Sequence, residues 1–391
     1  MAKISRRAAL WGGLGVGVGI ATGVGVAAKS RTGPASAPID APPSTPAPTP
    51  SATPVPTAKP SPTVDTRPRW PLTGKLLKDK DKGRVHHAAV AVKVPDNRQE
   101  HPQRGIDQAD IVFVELEGYK DASGYSATRL VPVFHSHMAE TVAPVRSIRP
   151  VDIALLSPMD ALIGNTGAAP WVINYVKHYR AHLEGMLSFM NTRGTGSYGT
   201  DTSRIYSFNG QTYYDRAITC HPATLAKQTK RFRSGPPRVY FPYASTDAEV
   251  STVHGKKAHS LKIPYKGDDY FMGYTYDKSS ERYRRSMPWG PHVLADGKRV
   301  STDNVLVIKA RQHYGKIFRG VGHDEPLHDV INKSGAFLYF HGGRYVTGTW
   351  SKGRVQAPFE FTLADGRPLK MAPGQTFVEL PDTHAKLRIK D

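Results

Sequence analysis

Short apolar runs, separated by charged and turn-forming residues, recur along the chain after residue 84. Runs of this length predict β-strands, and the first three lie at residues 85–94, 111–117 and 128–135. In the second run Val112, Val114 and Leu116 alternate with Glu115 and Glu117. Because successive strand residues point to opposite faces, this run predicts one apolar face and one face that carries two carboxylates.

Helical patterns and a further strand follow this first group of strands. Residues from Asp152 onwards and residues 171–182 have helical periodicity, and residues 159–164 form a short apolar run between them. Strands that alternate with helices indicate a mixed α/β arrangement. We therefore predict an α/β domain over residues 69–235.

Helical periodicity disappears after residue 235, and short strand-like runs recur with turn signals between them. The dipeptides Asp296-Gly297, Gly342-Gly343 and Asp365-Gly366 are typical of hairpin turns. Many short strands with few helices predict a mostly-β domain, either a sandwich or an open barrel, over residues 236–391. The runs lie at residues 238–243, 258–263, 270–276, 282–285, 304–310, 336–340, 345–350, 359–363 and 376–380.

The N-terminal 68 residues have the composition of an export signal followed by a linker. Arg6 and Arg7 precede an uncharged run over residues 8–28, which resembles a twin-arginine signal. An uncleaved N-terminal membrane anchor is the alternative, since about 20 apolar residues span a bilayer. Residues 29–68 are Pro, Ala, Ser and Thr with almost no large apolar side chain, which predicts a disordered linker. Both interpretations of residues 1–28 place the folded part outside the cytoplasmic membrane.

The charge of the chain favours negatively charged partners. Its formal net charge is +20, and the first 69 residues account for only +6 of it, with eight Lys/Arg against two Asp. The folded part is therefore basic in its own right and attracts polyanions such as nucleic acid, anionic lipid or a phosphate-bearing wall polymer. Cys220 is the one cysteine, so an intramolecular disulfide is excluded.

Three arginines near the first strands predict an anion-binding site. Arg146 and Arg149 lie between a predicted strand and a helix, and Arg129 would face Glu115 if the second and third strands form a hairpin. A guanidinium group pairs with carboxylate or phosphate through two parallel hydrogen bonds. We expect a ligand site or, alternatively, an internal salt-bridge network. Its binding residues are Arg129, Arg146, Arg149 and Asn165, and the candidates for acid/base catalysis are His221, Glu115 and Asp152.

Two other constellations suggest chemistry less strongly. His135 and His137 share one strand face, but no third ligand lies nearby in sequence, so we predict no metal site and no cofactor. Cys220 and His221 are adjacent, and adjacent strand residues point to opposite faces, so they would not form a nucleophile–base pair.

Several segments resemble the DUF3048 (YerB-like) family of bacterial exported proteins and lipoproteins. The resemblance runs from about residue 85 to 382, and because the family is of unknown function, it implies architecture and no reaction. The chain lacks the lipid-attachment cysteine after its signal, and Asn165-Thr-Gly-Ala and Pro222 depart from the family pattern. The matching segments include Ala109-Asp110-Ile-Val, Thr128-Arg129-Leu, Pro144-Val-Arg146-Ser-Ile-Arg149-Pro150 and Arg216-Ala-Ile-Thr-Cys-His221.

These observations lead to three functional hypotheses. The first is an exported cell-envelope protein that binds an anionic ligand of the cell wall or membrane through its arginines. The second is an envelope hydrolase or phosphotransferase that acts on such a ligand. The third is binding of extracellular nucleic acid, which ranks last because aromatic residues are not interleaved with the basic runs. No intracellular nucleic-acid partner is expected.

Overall fold

The computed structural model of the chain describes residues 66–120, 126–266 and 269–391. The predicted export signal or anchor at 1–28, and the predicted linker up to residue 65, lie outside the described residues. Within the described ranges, no helix combines the length and the apolar character needed to cross a bilayer.

The described chain is mostly β-structure, whereas the sequence predicts a mostly-β arrangement for residues 236–391 alone. Three short α-helices are α1 (Pro150–Leu156), α2 (Pro170–His178) and α3 (Pro222–Ala226). The strands are β1 (Val90–Val92), β2 (Val94–Pro95), β3 (Ile111–Lys120), β4 (Ser126–Phe134), β5 (Ala161–Gly164), β6 (Leu183–Glu184), β7 (Tyr198–Thr200), β8 (Tyr206–Phe208), β9 (Gln211–Tyr213), β10 (Ile218–Cys220), β11 (Lys256–Lys257), β12 (Ser260–Lys266), β13 (Tyr270–Asp277), β14 (Arg282–Met287), β15 (Gly290–Pro291), β16 (Ser301–Thr302), β17 (Asn304–Ile308), β18 (Gln312–Gly315), β19 (Glu325–His328), β20 (Lys333–His341), β21 (Arg344–Lys352), β22 (Phe359–Leu363), β23 (Thr376–Glu379) and β24 (Arg388–Lys390).

One twelve-stranded sheet combines strands from both halves of the chain. Its order is β11-β21-β20-β17-β23-β3-β4-β1-β5-β6, with β2 beside β4 and β22 beside β21. Strand β23, near the C-terminus, pairs in parallel with both β17 and β3, so it joins the N-terminal strands to the C-terminal ones. Consecutive strands β3 and β4 form the predicted hairpin, in which Glu115 lies opposite Arg129.

A separate six-stranded sheet contains β15, β14, β13, β12 and β24 in that order, with β16 beside β14. It packs on one face of the large sheet, where Val112 and Val305 share a core with Leu261 and Tyr274. The opposite face of the large sheet packs against helices α1 and α2. The molecule therefore has three layers, with the large sheet in the middle.

Both hydrophobic cores draw on the two halves of the chain, because residues of β3 and β17 contribute to each. The described residues accordingly lie together in one compact unit. The division expected at 235/236 therefore does not separate two cores. The two halves share their cores because β23 pairs with β3. Local sequence patterns do not show this long-range pairing.

Most C-terminal strands lie where the sequence predicts them, with one exception. The Gly342-Gly343 turn joins β20 and β21 with φ values of +60° and +71°, as a tight hairpin requires. The strand expected at 238–243 is wrong. Pro237 and Pro242 lack N–H donors for a ladder, and Tyr240 is buried with its ring 5.7 Å from that of Phe113.

We expect the shared sheet to make folding all-or-none across residues 66–391. A fragment that ends at residue 235 lacks β17 and β23 and leaves the edge of β3 unpaired. It should show no cooperative thermal transition by circular dichroism, whereas the full-length chain should show a single transition. A fragment with its own sharp melting transition would contradict the shared core.

Candidate functional site

Arg129 and Arg149 meet at the end of strands β3 and β4, and both are already ion-paired. Arg129 donates to Glu117 Oε1 at 2.5 Å and to the Ser147 carbonyl at 2.7 Å. Arg149, at the start of α1, lies 3.6 Å from the same Glu117 oxygen and 3.1 Å from Glu325 Oε2. Their side chains are only 7% and 12% exposed. These guanidinium groups bind internal carboxylates and are largely closed to solvent.

Glu115 and Asp152 share one buried lysine on the helix-covered face of the sheet. Lys93 Nζ donates to Glu115 Oε1 and, at 2.9 Å, to Asp152 Oδ1, and all three side chains are fully buried. Burial and the nearby Asp152 charge raise the pKa of Glu115, and the Lys93 charge opposes them. No external ligand reaches these carboxylates in this arrangement, so neither is placed to act as an acid or base on one.

Arg146 belongs to a different group from the other two arginines. It donates to Glu100 Oε1 and, at 2.9 Å, to Asp215 Oδ2. Burial raises the pKa of Glu100, and the charges of Arg146 and Arg216 oppose it. The structure thus differs from the single open arginine pocket expected from sequence, because every arginine of that set faces a carboxylate.

Asn165 and His221 organise loops. The Asn165 amide donates to the carbonyls of Ile163 and Gly185, at 2.9 and 3.2 Å, and its Oδ1 accepts from Gly167 N–H. His221 precedes α3, and its Nδ1 lies 2.9 Å from the Glu140 carbonyl. The buried Asn165 has its hydrogen-bonding capacity occupied by main-chain groups, which is a structural role.

Beside the Arg146 group lies an open groove of about 400 Å³, which we call the arginine groove. Arg104, Arg204 and Arg216 contribute cations, and the Arg216 guanidinium lies 3.9 Å from the centre of the Tyr206 ring. Tyr206 also stacks on Tyr213 across the β8–β9 hairpin, with ring centres 5.1 Å apart. The full lining is Gln99, His101, Pro102, Arg104, Asp201, Ser203, Arg204, Ile205, Tyr206, Arg216 and Ala295.

Arg204 holds the wall of the arginine groove through main-chain carbonyls. Its Nη1 donates to Pro102 O and its Nη2 to Glu100 O, both at 2.5 Å, and its Nε donates to Arg216 O at 3.0 Å. Three of its five N–H donors are therefore used, and the acceptors are neutral. Across the described ranges no carboxylate lies within 4 Å of this guanidinium group. Its positive charge is only partly compensated, by more distant acids.

His101 connects the groove to a buried polar network between the sheets. Its Nε2 lies 3.1 Å from Asp96 Oδ1, and Asp96 Oδ2 accepts from Arg285 at 2.7 Å. Asp96 and Arg285 are fully buried, whereas His101 lines the groove. Although burial disfavours the charged form, Arg285 and His101 hold the pKa of Asp96 well below its usual value.

The Gln103 amide lies between His292, Asp96 and His101. Gln103 Oε1 accepts from His292 Nε2 at 2.8 Å, so its amide hydrogens face Pro95 O and Asp96 Oδ1, at 3.0 and 3.2 Å. His101 Nε2 lies 3.1 Å from both Asp96 Oδ1 and Gln103 Nε2, and because the Asp96 carboxylate can only accept, we assign the ring proton to Nε2 and the acceptor role to Nδ1. Within the part of the chain that the structure describes, no hydrogen bond to His101 Nδ1 is formed.

Asp96, His101 and His292 bring three potential metal-ligating atoms within 4.8 Å of one another. Arg285 Nη1, however, lies 2.7 Å from His292 Nδ1, and Arg285 Nη2 holds the Asp96 carboxylate. A divalent cation would have to displace a guanidinium group from a buried ion pair, which is strongly unfavourable. The donor set therefore fits the hydrogen-bond network better than a metal.

Sequence reasoning missed the arginine groove, because His101, Arg104 and Arg204 lie in short irregular segments that carry no recognised binding motif. The one local signal is that Tyr206 lies two residues after Arg204, since a guanidinium group can both stack on an aromatic ring and bind an anion. The segments that line the groove come from distant parts of the chain, at residues 99–104, 201–216 and 295.

Two family models match most of the described chain. Residues 72–218 match the N-terminal domain, and residues 261–378 the C-terminal domain, of a family described as protein of unknown function DUF3048. The described chain is thus a mostly-β protein that contains both domains of this family. The chain belongs to the DUF3048 family, which confirms the resemblance seen in sequence.

Two matches come from Bacillus subtilis. The chain is 26% identical over 325 residues to "Putative lipoprotein YerB", a match that covers 81% of this chain and 87% of that protein. It also resembles the crystal structure of YerB protein, with a TM-score of 0.63 and 21% identity over 82% of this chain and all of that one. At this identity the structural likeness supports the fold alone.

Removing the lysine that Glu115 and Asp152 share should destabilise the folded protein. Lys93→Met leaves Glu115 and Asp152 without their cation, and we expect a loss of about 3–5 kcal/mol in the free energy of unfolding. Urea denaturation measures this loss in the free energy of unfolding. Adding Glu115→Gln should restore part of the loss, and Lys256→Met at an exposed strand position should not shift the midpoint. A stable single variant would contradict the charge network.

A buried histidine should make the folded state sensitive to acid. His328 accepts the Leu116 N–H at 3.1 Å, and burial together with the Lys93 charge lowers its pKa from 6.5 to about 3. The unfolded chain binds a proton below pH 6.5 that the folded chain does not, so stability falls between pH 6.5 and pH 3.

Between pH 7 and pH 5, the wild type should lose about 2 kcal/mol more stability than His328→Gln. Denaturant titrations of both proteins at the two pH values measure the difference. His384→Gln, which alters a side chain that is 94% exposed, provides the control. Equal pH slopes for the wild type and His328→Gln would contradict this assignment.

Proposed function

We propose that the protein is a cell-envelope protein that binds an anionic, phosphate- or carboxylate-bearing ligand in the arginine groove. The partly compensated charge of Arg204, beside the half-exposed Arg104, is the observation that carries this proposal. The name of the Bacillus subtilis relative, "Putative lipoprotein YerB", supports an envelope location, as do Arg6-Arg7 and the uncharged run after them.

The charges around the arginine groove favour an anion. Arg104, Arg146, Arg204 and Arg216 supply four cations, and the acids among them are Glu100, Asp201 and Asp215. The Arg104–Asp201 contact is long, at 3.5 Å, and the Arg104 side chain is 51% exposed. An incoming phosphate can therefore replace a weak surface ion pair at little cost.

The aromatic part of the groove suits a ligand that also has an uncharged portion. The Tyr206 ring, held between Arg216 and Tyr213, offers a flat apolar surface at one side of the arginines. A volume of about 400 Å³ accommodates one charged unit and its neighbour rather than a lone small ion. A polymer of alternating phosphate and polyol or sugar units has this chemistry.

The binding residues predicted from sequence do not make the main contacts to the ligand in this proposal. Arg146 holds Glu100 at the back of the groove, whereas Arg129, Arg149 and Asn165 lie in other contacts.

Arg104→Ala should weaken binding of poly(glycerol phosphate) oligomers about tenfold, because it removes a charge-assisted contact from an exposed position. Isothermal titration calorimetry with the full-length chain measures this, and binding should weaken as salt rises. The matched control is Arg367→Ala, which removes another exposed arginine that is paired with an aspartate, Asp365.

Neutral dextran should not bind, since it lacks the charge. Binding of the phosphate oligomer that Arg104→Ala and Arg367→Ala weaken equally would contradict a specific groove. Length-dependent binding of single-stranded DNA that is unaffected by Arg104→Ala would instead favour the nucleic-acid hypothesis.

A further inference from the structure

From the placement of one histidine we infer that the arginine groove cleaves phosphodiesters, with His101 as general base and Asp96 as its positioning residue. This inference rests on the proposed function, because it requires an anionic ligand in the groove. It differs from the sequence-based hypothesis of an enzyme, which considered His221, Glu115 and Asp152. Of those, Glu115 and Asp152 are fully buried on the far side of the large sheet.

The hydrogen bonds of His101 leave one ring nitrogen for chemistry. With the ring proton assigned to Nε2, His101 donates to Asp96, whose charge is retained by Arg285, and Nδ1 is left as the acceptor. The ring also packs at right angles against Trp289, with centres 5.0 Å apart, which restricts its rotation. A carboxylate that orients a histidine in this way stabilises the imidazolium formed when Nδ1 accepts a proton.

Arg204 places an anion beside this histidine. Its two terminal nitrogens donate to the carbonyls of Glu100 and Pro102, the residues immediately before and after His101. A phosphate that engages the remaining N–H groups of Arg204 therefore lies next to the His101 backbone, within the groove that its side chain lines. Arg104 on the same wall supplies a second cation for the charge that develops on the phosphoryl oxygens.

The proposed step consumes one water molecule. The water oxygen forms a bond to phosphorus while His101 Nδ1 takes one of its protons, and the bond from phosphorus to the leaving oxygen breaks with its electron pair on that oxygen. The imidazolium then gives its proton to the leaving oxygen, which departs as an alcohol. The imidazole returns to its neutral form, and the other product is a phosphomonoester.

The test uses full-length protein with poly(glycerol phosphate) as substrate and ³¹P nuclear magnetic resonance to detect phosphomonoester ends. We expect turnover by the wild type and a fall in kcat of about 10²-fold or more for His101→Ala, with the dissociation constant little changed. Exogenous imidazole should restore part of the rate to His101→Ala. A purely structural role of His101 would not produce this rescue.

Two further measurements separate the possible results. His384→Gln should turn over at the wild-type rate, and thermal melting should show that His101→Ala remains folded. If that variant unfolds, His101→Gln, which keeps a polar side chain against Asp96, takes its place. Binding without turnover by the wild type would overturn the catalytic inference and leave the proposed function intact. Turnover that survives both His101 substitutions would also overturn it, whereas the absence of binding would remove the proposed function itself.

Discussion

The buried ion pair between Asp96 and Arg285 joins the two sheets at the point where the groove begins. Both side chains are fully buried, and Arg285 also donates to His292 while Glu379 lies 3.9 Å away. A guanidinium group taken out of water is tolerated only when its charge and donors are matched. The geometry of Gln103 and His101 follows from that match, because both side chains complete the hydrogen bonding of Asp96. The groove wall is thus fixed from inside the molecule.

A surplus of basic residues explains why most arginines here are not ligand sites. In a chain of net charge +20, arginine and lysine are available to pair with buried carboxylates, as they do with Glu117, Glu115 and Glu100. The functional candidates are the cations left with neutral or distant partners. Arg204 meets this criterion through its three carbonyl contacts, whereas Arg149, with two carboxylates, does not.

Local patterns in the sequence predict much of the fold. The alternation of Val112, Val114 and Leu116 with Glu115 and Glu117 identifies both faces of β3, since strand geometry depends only on neighbours. The parallel pairing of β23 with β3 could not be predicted in this way, because it joins segments some 265 residues apart. The groove has the same origin: Arg104 and Arg204 are brought together by long-range pairing, and no spacing in the chain signals it.

The most direct test of this account is a crystal structure of the protein soaked with a short glycerol phosphate oligomer. The account predicts a phosphate group between Arg104 and Arg204, with an uncharged unit against Tyr206. Phosphate bound at Arg129 and Arg149 after displacement of Glu117, with nothing in the groove, would contradict it.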